Sequence, residues 1–169
     1  MQTSSDSFRE IHGAPPSASD AASDAAIEAR RAVMALVASA TAAELAGVRR
    51  FAPEGVVDLR APEVGLVMVR GRIGGTGAPF NLGEATATRA AVRLPSGAVG
   101  FGHLLGRDGA RARDAALLDA LWVEGGDRAA LEAEILTPIR ARLAADRLRA
   151  AEETAATRVD FFTLVRGEG

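Results

Sequence analysis

Hydrophobic positions along the chain change period twice. Residues 1–23 carry no sustained period; Ser, Asp, Ala, Gly and Pro dominate, including Pro15-Pro16, and a disordered leader is expected there. Residues 24–169 form the expected single domain. From Asp24, a candidate cap, Ile27, Arg30-Arg31, Met34 and Val37-Ala38 recur at helical spacing. Thr41 and Glu44 have the Thr-x-x-Glu spacing of a capping box, which predicts a second short helix to about Phe51, ended by Pro53 and Gly55.

The middle of the chain is extended. Val56–Arg60 reads as a short strand, turned at Pro62-Glu63 into a longer one over Val64–Ile73. Gly74-Gly75-Thr76-Gly77-Ala78-Pro79 is a loop. Phe80–Leu82 and Glu84–Leu94 follow, with Gly83 a bulge or bend, and after a turn at Pro95-Ser96-Gly97 the segment Ala98–Leu105 returns. Helical patterning then resumes. Asp108 caps a helix over 109–124 whose buried side holds Ala115, Leu118, Leu121 and Trp122, and Gly125-Gly126 breaks it. Asp127 caps the next, with Leu131 and Ile135 a turn apart, and Thr137-Pro138 can open a further one. The pattern predicts an α+β fold: an antiparallel meander of about four strands, with N-terminal and C-terminal helices packed mainly on one face. The end of the chain places Phe161, Phe162, Leu164 and Val165 on both sides of an extended segment. Large apolar groups on both sides of a chain end point to a partner-contacting tail, continuing a last helix poor in large aliphatics.

Composition narrows the chemistry. The chain has 169 residues, with Lys+Arg 20 against Asp+Glu 22 and a formal net charge of −2, a balance that argues against a nucleic-acid binder. No apolar run approaches the roughly 20 residues of a membrane span, and no signal-peptide pattern opens the sequence, so a soluble cytoplasmic protein is expected. Cysteine and tyrosine are absent, and every basic residue is arginine. That excludes thiolate metal sites, a cysteine nucleophile, a Walker lysine and a Schiff-base lysine. With His12 and His103 the only histidines, no metal site and no catalytic residue is assigned, and the chain is poorly equipped to be an enzyme on its own.

The strongest chemical pattern is arginine placement. Leu66, Met68, Arg70 and Arg72 point to one side of their strand, and Arg89 and Arg93 share a side of theirs with Ala85, Ala87 and Ala91. If the strands align these faces, Arg70, Arg72, Arg89 and Arg93 form a cationic patch suited to phosphate or carboxylate groups. The same pattern also describes the solvated face of a half-buried sheet. The backbone N–H groups around Gly75 and Thr76 could add an anion site, although the loop is neither a Walker loop nor a dinucleotide fingerprint and also reads as a plain hairpin loop. Gly100, Gly102 and Gly106 alternate with larger residues, which admits close approach of a backbone, a docked partner or bulky side chains. His103, on an apolar strand face, reads as a structural histidine.

Several segments then occur in a telling order: Gly65-Leu66-Val67, Gly74-Gly75-Thr76-Gly77, Gly83 through Arg93, Gly106-Arg107-Asp108, Ala115 through Leu121, and Val159-Asp160-Phe161-Phe162-Thr163-Leu164-Val165-Arg166-Gly167. Over roughly residues 25–167 the chain resembles the G-subunit (PhnG) family of the bacterial carbon–phosphorus lyase machinery. The resemblance implies a cytoplasmic core complex with the H, I and J subunits, built as a dimer of heterotetramers. It implies a part, with the I (nucleosidase) and L subunits, in displacing adenine from MgATP by an alkylphosphonate, giving alpha-D-ribose 1-alkylphosphonate 5-triphosphate. MgATP is then a substrate of the complex, no cofactor belongs to this chain, and the chain is a required non-catalytic subunit of a transferase. The alternative is a nucleotide- or phosphonate-binding module using its own arginine-lined anion site.

Overall fold

The computed structural model describes residues 18–74 and 76–157. Helix α1 (Ala18–Ala38) leads into α2 (Ala42–Ala46) and a 3-10 turn (Gly47–Phe51). Strands β1 (Val57–Arg72), β2 (Pro79–Arg93) and β3 (Val99–Leu105) form one antiparallel sheet in the order β1-β2-β3. Helix α3 (Gly109–Glu124) follows, then α4 (Arg128–Leu131), a π-helical turn (Glu132–Leu136) and α5 (Thr137–Ala156). The α+β class holds, with helices on one face of a meander.

Local signals explain most boundaries. Thr41 Oγ1 accepts from the Glu44 N–H and Glu44 Oε2 accepts from the Thr41 N–H at 2.8 Å, so the capping box forms as expected. Asp108 Oδ1 accepts from the Arg111 N–H at 2.9 Å, and Gly125 closes α3 at φ 93°, a left-handed conformation that glycine adopts without steric cost.

Three boundaries differ from expectation. Helix α1 starts at Ala18, so Asp24 lies inside it rather than at its cap. The expected turn at Pro62-Glu63 is absent. β1 passes through it as one strand, which makes three strands rather than about four, with register irregularities between Asp58 and Arg60 and between Arg60 and Glu63. A proline is tolerated there because β1 is an edge strand and the missing N–H can lie on the unpaired side. A further helix, α5, does open at Thr137 with Pro138 in its first turn, but Thr137 is its first residue and not its cap. The path from Arg128 to Ala156 is helical throughout, and the π turn sits directly before Pro138. A widened turn accommodates a ring that would otherwise clash with the preceding carbonyls.

The core lies between α3 and the inner face of the sheet. Ala90, Val92, Leu94 and Leu104 meet Ala112, Ala116, Leu117, Ala120 and Leu121, with Val33, Val37, Leu45, Leu131, Leu136 and Ile139 closing the periphery. The glycine alternation in β3 has a clear cause. A Cβ at Gly100 would stand 2.1 Å from the Ala116 carbonyl oxygen, and one at Gly102 would stand 2.0 Å from that of Ala112. The backbone that approaches is the chain's own α3, whose alanines let helix and strand come close. Among the described residues, no helix is long and apolar enough to cross a membrane.

Candidate functional site: the outer face of the sheet

With α3 on the inner face, no element crosses the opposite face of the sheet among the described residues. Cross-strand register decides which side chains share it. Arg89 pairs with Glu63 on β1 and His103 on β3; Ala91 pairs with Arg60 and Phe101; Ala87 pairs with Gly65 and Leu105. Phe101 and Leu105 are 56% and 68% exposed, whereas Thr88, Ala90 and Val92, of the other parity, are buried under α3.

The same register divides the four arginines expected in one patch. Leu66 pairs with Thr86 and Met68 with Glu84, and these share the parity of Thr88 and Ala90. Strand alternation carries Arg70 and Arg72 onto that side, opposite Arg89 and Arg93. Sequence alone left this alignment conditional, and the pairing resolves it. What gathers around Arg89 is a pair that strand reading missed. Arg60 Nη1 donates to Glu63 Oε1 at 2.9 Å and Arg89 Nη2 donates to the same oxygen at 3.0 Å. Arg60 reaches this group because the irregularity beside it sets it opposite Ala91, a displacement that no periodicity signals. Arg60, Arg89, Phe101 and His103 line a hollow of about 290 Å³ floored by Ala90 and Ala91.

A second hollow, about 350 Å³, adjoins it at the β3 edge, where Ile27, Arg30, Arg31 and Met34 of α1 face Phe101, His103 and Asp119. Arg30 bonds both carboxylate oxygens of Asp119, at 2.8 and 2.6 Å, and this contact raises the Arg30 pKa. Asp119 Oδ2 also accepts the Phe101 backbone N–H at 2.8 Å, which satisfies part of the open edge of β3. Arg49 grips the buried Asp114 in the same two-point manner, at 2.8 and 2.7 Å. Both aspartates of α3 are thereby committed to holding the scaffold. Among the described residues, no group of three or more His, Asp or Glu is placed to hold a metal ion.

Beyond Ala87 and Leu105 the sheet narrows to β1 and β2 alone. Where Val69–Arg70 of β1 faces Gly83–Asn81 of β2, the extra residue is Leu82, so the bulge expected at Gly83 is present. It turns Leu82 and Phe80 over Gly71, where a Cβ would lie 2.7 Å from Leu82 Cδ1 and 3.8 Å from Phe80. Gly71 has the parity of Val67 and Val69, so these residues extend the outer face toward the hairpin end. At that end the Gly77 N–H donates to the Ile73 carbonyl at 3.1 Å and Arg72 Nη1 donates to the Gly77 carbonyl at 3.2 Å. Gly75 lies outside the described residues, as do Phe161, Phe162, Leu164 and Val165.

Two comparisons bear on this arrangement. The sequence profile described as phosphonate metabolism protein PhnG matches residues 28–167. The chain is also 57% identical over 148 residues to the alpha-D-ribose 1-methylphosphonate 5-triphosphate synthase subunit PhnG of Rhizobium meliloti (strain 1021), covering 86% of this chain and 94% of that protein.

Proposed function

The chain belongs to the PhnG family of phosphonate metabolism proteins, and from that premise we propose that it is a required, non-catalytic subunit of a carbon–phosphorus lyase core complex. In this reading it supports displacement of adenine from MgATP by an alkylphosphonate to give alpha-D-ribose 1-alkylphosphonate 5-triphosphate. Its partners are the I (nucleosidase), H and J subunits, with L taking part in the reaction, all in the cytoplasm. MgATP binds the complex, and this chain contributes no cofactor.

The observation that carries the reading is the pairing of a relative named as a synthase subunit with a sheet face left uncovered among the described residues. Exposed Phe101 and Leu105 lie on that face, and the two aspartates of α3, Asp114 and Asp119, are each held by an arginine. The side-chain inventory, without Cys, Lys or Tyr, fits a subunit that docks better than one that turns over substrate. Phe161, Phe162, Leu164 and Val165 are proposed as a further contact in the tail. The competing module reading retains two separate basic groups, Arg60 with Arg89 on the outer face and Arg70 with Arg72 on the other.

Co-expression with the I subunit, followed by size-exclusion chromatography and an adenine-release assay, tests the proposal. Phosphonate-dependent adenine release that requires both chains is the expected result. Release by this chain alone overturns it, as does full-rate release by I and L without it. MgATP binding to the isolated chain that is lost on Arg60→Ala/Arg89→Ala would favour the module reading.

A further inference from the structure

The β1–β2 arm is built in a way that a free surface does not explain. β3 pairs with β2 only over Ala87–Arg93, so 66–72 of β1 and 79–86 of β2 project as a two-stranded ribbon. An isolated pair of strands is marginal in water unless a third strand or a helix covers it. Seven of the fourteen exposed large hydrophobic side chains among the described residues nevertheless fall between Val64 and Leu82. They occupy both faces: Val69, Phe80 and Leu82 on the outer one, Leu66 and Met68 on the other. The outer set runs through Val67 and Ala85 to Leu105, one apolar band from the end of β3 to the end of the arm, with His103 and Arg89 separating it from Phe101. Contiguous apolar surface of this extent marks an interface.

Charge identifies the occupant. The arm itself carries two arginines, Arg70 and Arg72, against one carboxylate, Glu84, in a chain whose net charge is −2. A second copy meeting the arm through the face that bears Arg70 and Arg72 would set like charges against each other, which disfavours self-association there. A partner with an apolar groove and carboxylates at its rim matches both features. Resting on the subunit reading above, we propose that the β1–β2 arm inserts into such a groove on another subunit of the synthase, with Arg70 and Arg72 meeting acidic groups at its far end.

The test uses the full chain, free and in the assembled complex. Amide exchange across 66–72 and 79–86 is expected to be fast in the free chain and at least about tenfold slower in the complex. Val69→Asp/Leu82→Asp alters exposed positions, so the free variant should melt like the parent, yet its recovery of the other subunits should fall at least about tenfold. Arg70→Glu/Arg72→Glu should weaken assembly most at low salt. Unchanged arm exchange in an intact complex, or normal assembly of the aspartate variant, overturns the arm assignment while the subunit reading stands. Failure of the unmodified chain to join any synthase subunit overturns both. A dimer of the free chain that the aspartate variant makes monomeric shows a second copy to be the occupant and overturns the proposal.

Discussion

Arg30 on α1 holds Asp119 on α3 through two hydrogen bonds, Nε to Oδ1 at 2.8 Å and Nη2 to Oδ2 at 2.6 Å. Asp119 is 2% exposed and also accepts the Phe101 N–H, so one carboxylate ties helix to helix and helix to strand edge. Asp119→Ala removes the acceptor of the Phe101 N–H and of the partly exposed Arg30 together. It should cost about 1–3 kcal/mol, read as a lowered urea midpoint at unchanged m-value. Asp119→Asn keeps an acceptor for Phe101 and should cost less. Equal loss for the two variants would show that packing rather than charge dominates at this position.

The approach of β3 to α3 makes an opposite prediction for glycines of one sheet. Gly100→Ala and Gly102→Ala each place a methyl against helix backbone, near 2 Å from carbonyl oxygens that cannot rotate away. Each should destabilise by about 1–3 kcal/mol or more, and the pair should leave little folded protein at 37 °C. Gly65→Ala meets nothing within 4 Å and should be neutral or slightly stabilising. Circular-dichroism melting of the three single variants separates the cases, and a harmless Gly102→Ala would contradict the tight helix–strand packing.

These contrasts indicate what the sequence could reveal. The Thr41–Glu44 box and the Asp108 and Gly125 limits of α3 are local, because each depends on residues within a turn or two, and all are legible. The alternating glycines of β3 announce a close approach but not what approaches, since Ala112 and Ala116 stand far along the chain. The shared Glu63 of Arg60 and Arg89 is not legible, because it depends on an irregularity near Pro62. Likewise, an arginine patch inferred by alternation on two strands holds only for one alignment of their faces. The bulge at Leu82 and the passage of β1 through Pro62 lie between pattern and register.

Glu44 joins the capping box to α5. Arg142 donates from Nε to Glu44 Oε1 at 2.7 Å and from Nη2 to the Ser39 carbonyl at 2.9 Å. The Arg142 hydrogen bond, aided by the Thr41 N–H against the opposing effect of burial, lowers the Glu44 pKa to about 2. The Arg140 guanidinium lowers Glu132 in the same direction. A folded-state pKa below the unfolded value gives stability that is present above the ordinary carboxylate range and lost as pH falls through it toward 2. Glu44 and Arg142 are 21% and 33% exposed, so screening holds the Glu44 share to about 1–3 kcal/mol. Glu44→Gln keeps an acceptor for the cap but removes the charge. It should lower stability at pH 7 and flatten the fall between about pH 5 and pH 2, measured by urea melts across that range. A variant with an unchanged acid slope would remove Glu44 from the account.

Glu63 offers a test of the outer face that leaves the fold alone. It lies between Arg60 and Arg89, and all three side chains are close to half exposed, so solvent screens both pairs. Glu63→Gln should therefore change folding stability by less than about 0.5 kcal/mol. Its effect on association should be larger, because it releases two guanidinium groups toward whatever meets the face and raises the local positive charge by one. If the partner surface is acidic, the variant should join the complex faster than the parent at low salt, with the advantage fading near physiological ionic strength, where the screening length is about 8 Å. Stopped-flow association with the partner subunits over a salt series reads this directly. Slower association of Glu63→Gln at low salt would mean that Glu63 itself meets a cation across the interface, and the polarity assigned to the partner would be reversed.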